Sequence, residues 1–170
     1  PKGCSDHNGQ IMFELPLQQS GAIAAGLAFI GGRNNERQGK DQHFKFGGTR
    51  EVVCDVIRID DFVPPEAPVA LMKCNIEGAE LLALRGAART VERHAPTIIC
   101  EINPWFLEGF GIRLDELLAF FYDRGYKLFW YDDKARKLVA RSSAEVIEDN
   151  YVFIHPSRAN RFRPLLAAPF

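Results

Sequence analysis

Two carboxylates and an amide stand where apolar runs give way to other patterns. The run Val69-Ala70-Leu71-Met72-Lys73-Cys74 ends in Asn75, Glu77 and Gly78, and a helical pattern begins at once. A second run, Thr97 to Ile102, carries Glu101 near its end and is followed by Asn103 and Pro104. A carboxylate can accept the proton of a hydroxyl that is becoming a nucleophile, whereas a carboxamide is no base at neutral pH and serves to orient a group. Glu77 and Glu101 are therefore candidate bases, and Asn75 is a candidate orienting residue. The plainer alternative has these residues capping the helix, with Glu101 paired to a nearby Lys or Arg. His7, His43, His94 and His155 show no H-x-H or H-E-x-x-H spacing, so no metal site is expected. A divalent ion held by Glu77 and Glu101 stays open as an alternative.

These residues can act together only if their strand ends lie side by side. The run 69–74 leads straight into a helical pattern, as a buried parallel strand feeding a crossover does. Leu81, Leu84, Ala88 and Val91 recur at helical spacing and predict one apolar face on a helix of about 15 residues. Glu80 falls in its first turn, where the helix dipole favours a carboxylate. Pro96 ends the helix and opens the strand Thr97 to Ile102. Strand, helix and strand make a βαβ unit with a right-handed crossover. Ligands of open α/β sheets bind outside the carboxyl ends of such strands, where Asn75, Glu77 and Glu101 would meet.

The flanking segments are read more coarsely. Ser5 to Gly9 is turn chemistry and Gln10 to Leu15 a strand candidate. Ser20 to Gly32 is small and apolar, and Arg33 to Lys45 is polar; Gly31-Gly32 lacks the spacing of a phosphate loop. Glu51 to Ile59 is rich in β-branched residues and reads as a strand ending at Asp60-Asp61. Pro64, Pro65 and Pro68 make a rigid connector. A second helix is expected from Leu114 to Arg124, with Gly125 at its C′ position. Trp105, Phe106, Phe110 and Phe120 gather before and within it, as core or, for Trp105 and Phe106, as a pocket wall. Tyr126 to Tyr131, Lys137 to Val139 and Asn150 to His155 read as closing strands, and the Arg-rich tail after Pro156 as a loosely packed end.

Composition sets outer bounds. With 46% hydrophobic and 25% charged residues, 170 residues suit one globular domain with a sizeable core. A net charge of -1 leaves no electrostatic footprint for nucleic acid. No apolar run approaches the roughly 20 residues of a membrane span, and the opening Pro1-Lys2-Gly3-Cys4 is not a signal peptide. Cys4, Cys54, Cys74 and Cys100 include no C-x-x-C pair, so inert thiols in a reducing compartment, the cytoplasm, are expected.

The stretch LMKCNIEGAELLALRGAARTVERHAPTIICEINP, from Leu71 to Pro104, resembles the signature region of the FkbM family of S-adenosylmethionine-dependent methyltransferases. That pattern runs Lys-x-Asp-x-Glu-Gly-x-Glu, then a helix with Leu-x-Gly, then a Pro-led strand ending in Glu. Lys73, Glu77, Gly78, Glu80, Leu84, Gly86, Pro96 and Glu101 fall on it, and Ile59 to Phe62 match its Leu-Asp-Asp-Phe segment. Asn75 departs from it, standing where the family usually has Asp. The resemblance covers most of the chain from Gly3 to Pro156.

The resemblance implies an α/β fold: a Rossmann-like class I methyltransferase domain whose sheet is mostly parallel with a closing antiparallel strand. It implies one domain over residues 1–170, the C-terminal part of a methyltransferase domain that is N-terminally incomplete by roughly 80 to 100 residues and lacks the N-terminal cofactor-binding motif, the glycine-rich turn and the acidic residue that holds the ribose. Residues 16–50 would be a variable loop or lid. The cofactor is S-adenosylmethionine, with Asp6 near the adenine and Asn75 also at the cofactor; an Asx-turn is the plainer reading of Asp6. The acceptor would be a hydroxyl of a small molecule or glycan, in a sugar or secondary metabolite, with neither nucleic acid nor membrane as partner and homo-oligomerisation open. Two other readings stay open: a non-catalytic nucleotide- or sugar-binding α/β module, and a self-associating remnant with an exposed sheet edge.

Overall fold

A computed structural model describes residues 2–23, 29–30, 46–147 and 149–170. The lid expected within 16–50 falls largely outside them. Two sheets form. The first contains β1 (Gly3–Cys4), β2 (Gly9–Gln18), β3 (Phe29–Ile30) and β4 (Phe46–Ile57) in the order β1-β4-β2-β3. The expected strand at 10–15 lies inside β2 and residues 51–57 of the expected strand 51–59 lie inside β4, while Ile59 opens a helix; β2 and β4 run antiparallel from Gly9↔Val56 to Gln18↔Phe46. Along β4, Val56 is buried while Val53 is exposed, the alternation of a ribbon with one face inward.

The second sheet holds the functional strands. Its order is β5 (Leu71–Cys74), β6 (Thr97–Ile102), β9 (Asp149–Ile154), β7 (Lys127–Asp132) and β8 (Lys137–Ala140). The pairing β5–β6 is parallel; β6–β9, β9–β7 and β7–β8 are antiparallel. The sheet is therefore mixed and not mostly parallel. The physical reason is β9: it enters reversed between β6 and β7, so both of its ladders are antiparallel although β5, β6 and β7 share one direction. The hairpin return of β8 adds a third antiparallel ladder. β5 is also not the fully buried strand its apolar run suggested. Among the described residues it is the edge, and Leu71 is 58% exposed.

The crossover from β5 to β6 is two helices, not one: α2 (Glu80–Gly86) and α3 (Ala88–His94). The break follows from packing. A Cβ on Gly86 would lie 1.9 Å from the Ser5 carbonyl oxygen, so a glycine lets the β1–β2 turn press against the helix. Ala87 leaves helical geometry at φ −111°, ψ 8°, and the amides that open α3 need a new acceptor. Asp60 supplies it from the short helix α1 (Ile59–Phe62). Its Oδ1 accepts from Thr90 N–H and Thr90 Oγ1, both at 2.8 Å, and its Oδ2 from Arg89 N–H at 3.0 Å. Asp60 and Asp61 thus lie in a helix and not at the end of a strand.

Two more helices follow β6. In α4 (Pro104–Gly109), the buried Asn103 accepts from the amides of Trp105 and Phe106, at 3.1 and 3.3 Å, with Pro104 in the first turn. In α5 (Leu114–Tyr122), Leu117, Leu118 and Phe121 point inward as their spacing predicts, and Gly125 takes φ +77° behind it. Leu81, Leu84, Val91, Ile98, Cys100, Ile102 and the α5 face form the main core on one side of the sheet. The tail is not loose. Leu166 packs against Phe129, Leu138 and Ile154 on the opposite side. Arg158 donates to the carbonyls of His94 and Ala95 at the end of α3, at 2.6 and 3.2 Å.

Candidate active site

The parallel register Cys74↔Cys100 sets Asn75 and Glu101 at the same level on adjacent strand ends. After Asn75 the chain makes a tight turn in which Glu77 takes φ +58° and Gly78 φ +101°. A left-handed glutamate is uncommon and marks a backbone held by its surroundings. Gly78 shows what holds it, because a Cβ there would lie 2.4 Å from the carbonyl oxygen of Phe106. The β5–α2 turn is therefore seated on the first turn of α4. Asn75, Glu77 and Glu101 are brought to one end of the sheet beside Trp105 and Phe106, whose ring centroids are 5.0 Å apart. Asn75 is exposed, and Glu77 and Glu101 are half-buried.

Beneath them lies a group the sequence reading placed only on the helix dipole. Glu80 is 2% exposed. Its Oε1 accepts the Ile76 N–H at 2.8 Å. Burial pushes its carboxyl above the ordinary range, and the nearby charge of Glu101 adds to this. The backbone N–H groups of Ile76, Glu80 and Gly78 pull the other way. Among the described residues no basic side chain pairs with Glu80. One sequence signal could have found it: a carboxylate in the first turn of a helix can reach back four residues to an open amide in the preceding strand-to-helix turn, the spacing from Ile76 to Glu80.

Cys74 and Cys100 are buried free thiols on neighbouring strands. The hydrogen bond to Cys74 and burial push the Cys100 thiol well above its ordinary range, which suits inert packing. Asp6 is not with the other candidates. It lies in the β1–β2 turn, against Gly86 at the far end of α2. Its Oδ1 is 2.8 Å from His7 Nδ1 and accepts from Ser5 Oγ at 3.3 Å. The bond with His7 holds its carboxyl below the usual range. Among the described residues no group of three or more His, Cys, Asp or Glu could hold a metal ion, and no helix is long and apolar enough to cross a membrane.

The turn after β5 and the helix that follows β6 are thus seated on one another, with Gly78 where a side chain cannot fit. A family model described as the Methyltransferase FkbM domain matches residues 3–128. The chain belongs to the FkbM methyltransferase family. The matched span runs from β1 into β7 and includes every residue discussed at this site. Within the family's pattern the structure gives physical duties to Gly78, Gly86 and Asp60: two close backbone approaches and one helix cap. No curated protein and no solved structure matches the chain.

Proposed function

We propose that the protein is an S-adenosylmethionine-dependent O-methyltransferase that acts on a hydroxyl of a small molecule or glycan. The observation that carries the reading is the register that sets Asn75 beside Glu101 at adjacent strand ends, with Glu77 in the turn that follows, within the family match. The strand order β5-β6-β9-β7, with β9 reversed, supports a Rossmann-like class I arrangement.

The donor set fits the cofactor: half-buried carboxylates and an exposed carboxamide suit a cation and hydroxyl groups, not an anion. When bound, S-adenosylmethionine supplies an electrophilic methyl group on a positively charged sulfur. The chain's own residues hold and deprotonate the acceptor. Glu77 or Glu101 takes the hydroxyl proton, and Asn75 orients the ligand by donating from Nδ2 and accepting at Oδ1. Trp105 and Phe106 supply an apolar wall that keeps water from the reacting oxygen. Asp6 would hold the adenine end, separated from Asn75 by the seven-residue α2, about 10 Å long.

Calorimetric titration of S-adenosylmethionine into the protein from the complete reading frame, with Glu77→Gln and Glu101→Gln in parallel, tests the reading. Saturable binding that both variants retain, with methyl transfer lost in one, is the expected result. No binding by the wild-type protein refutes the reading.

A further inference from the structure

We propose that Glu80 is the positioning residue of this site: its buried carboxylate anchors the Ile76 amide and so fixes the turn that presents Asn75 and Glu77. The geometry is specific. Ile76 lies between the two presented residues, and its N–H is held by Glu80 Oε1 at 2.8 Å. The next two residues stand at φ +58° and +101°, so the turn is costly to form and needs fixed neighbours. Two contacts fix it: the Phe106 carbonyl against Gly78 from outside, and Glu80 from inside. A helix-dipole role alone would leave the carboxylate at the surface, yet Glu80 is 2% exposed.

Among the described residues, the titratable groups facing it include Glu101 and Cys100, both on β6. The Cys100 thiol stays neutral, so Glu80 and Glu101 form the interacting pair. Through that pair, the proton on Glu80 depends on the charge at Glu101, and the anchor is coupled to the residue expected to take a proton.

Amide NMR of the full chain tests this without a ligand. The Ile76 amide proton should shift with pH along a transition whose midpoint lies above the ordinary glutamate value of 4.5. Glu80→Gln keeps one acceptor oxygen and should abolish that transition while leaving Ile76 protected from exchange. Glu80→Ala should exchange Ile76 about tenfold to a hundredfold faster. Val91→Ala, a core truncation in α3, should lower the melting temperature and leave the Ile76 transition in place. A pH-independent Ile76 amide in the wild-type protein overturns the proposal even if Glu80→Ala fails to fold.

The link from this turn to the cofactor rests on the methyl-transfer reading, so S-adenosylmethionine affinity is measured on the same samples. The wild type and Glu80→Gln should bind alike, and Glu80→Ala at least about tenfold more weakly. An anchored turn with no binding by the wild type removes the methyl-transfer reading and leaves the anchor. Binding with a pH-independent Ile76 amide does the reverse.

Discussion

Asn75 stands where the pattern this chain resembles usually has Asp, and its exposure makes the substitution testable. Asn75→Asp adds a charge beside Glu77 and Glu101. An added carboxylate attracts a cationic sulfur by about 1 kcal/mol in a solvent-exposed setting. S-adenosylmethionine should then bind several-fold more tightly, and S-adenosylhomocysteine, whose sulfur is neutral, should not; equal effects on both ligands would remove Asn75 from the sulfur end. Gly78 tests the frame of the same turn. Gly78→Ala would set a Cβ against the Phe106 carbonyl and force a side chain into φ +101°. A loss of ~2–4 kcal/mol in urea unfolding is expected. The sequence marked Gly78 by its position in a motif, but the reason for a glycine comes from α4, about thirty residues further on.

At the scale of elements, the crossover shows local pattern and packing deciding different things. The spacing of Leu81, Leu84 and Val91 is right for the buried face across both helices, while Ala88 is only half-buried. The break at Ala87 depends on Ser5 and Asp60, which are remote in sequence and leave no trace in that spacing. Asp60 caps α3 with a side chain shielded from solvent. Burial disfavours its charged form, but the donors of Arg89 and Thr90 outweigh this and hold its carboxyl below the ordinary value of 3.8. A depressed carboxyl favours the folded state above the ordinary value, and that contribution is lost as pH falls through the folded value. Asp60→Ala should cost ~1–3 kcal/mol at neutral pH, and the difference from wild type should shrink under acid conditions. A gap that stays constant down to acid pH would place the role of Asp60 in packing alone.

For the whole molecule, the two faces of the second sheet are closed by different means. The helices α2, α3 and α5 cover one, and the C-terminal tail covers part of the other through Phe162, Leu166 and Phe170. Leu166→Ala should lower stability by ~2–3 kcal/mol in urea unfolding, while a tail that merely rests on the surface would show no change. The edge is less covered. β5 exposes Leu71 at 58%, and Leu71 lines an open cleft of about 550 Å³ together with Ile99, Val152 and Phe162. An uncovered strand edge next to apolar surface favours association. Light scattering should show Leu71→Lys with a smaller apparent mass than wild type at high concentration, and equal masses would place association elsewhere.

Read alone, the sequence determined what is local. The ends of β6, the inward face of α5, the turn at Gly125 and the meeting of Asn75 with Glu101 all follow from periodicity, caps and one βαβ unit. The family also showed in the chain, because its motif is a string of such local requirements. Tertiary structure alone decided the rest. It put β5 at an edge, reversed β9 between two parallel strands, split the crossover helix, folded the tail onto the sheet and buried Glu80. Each of these depends on which remote segment occupies a given space, and a pattern that repeats every two or four residues carries no record of that.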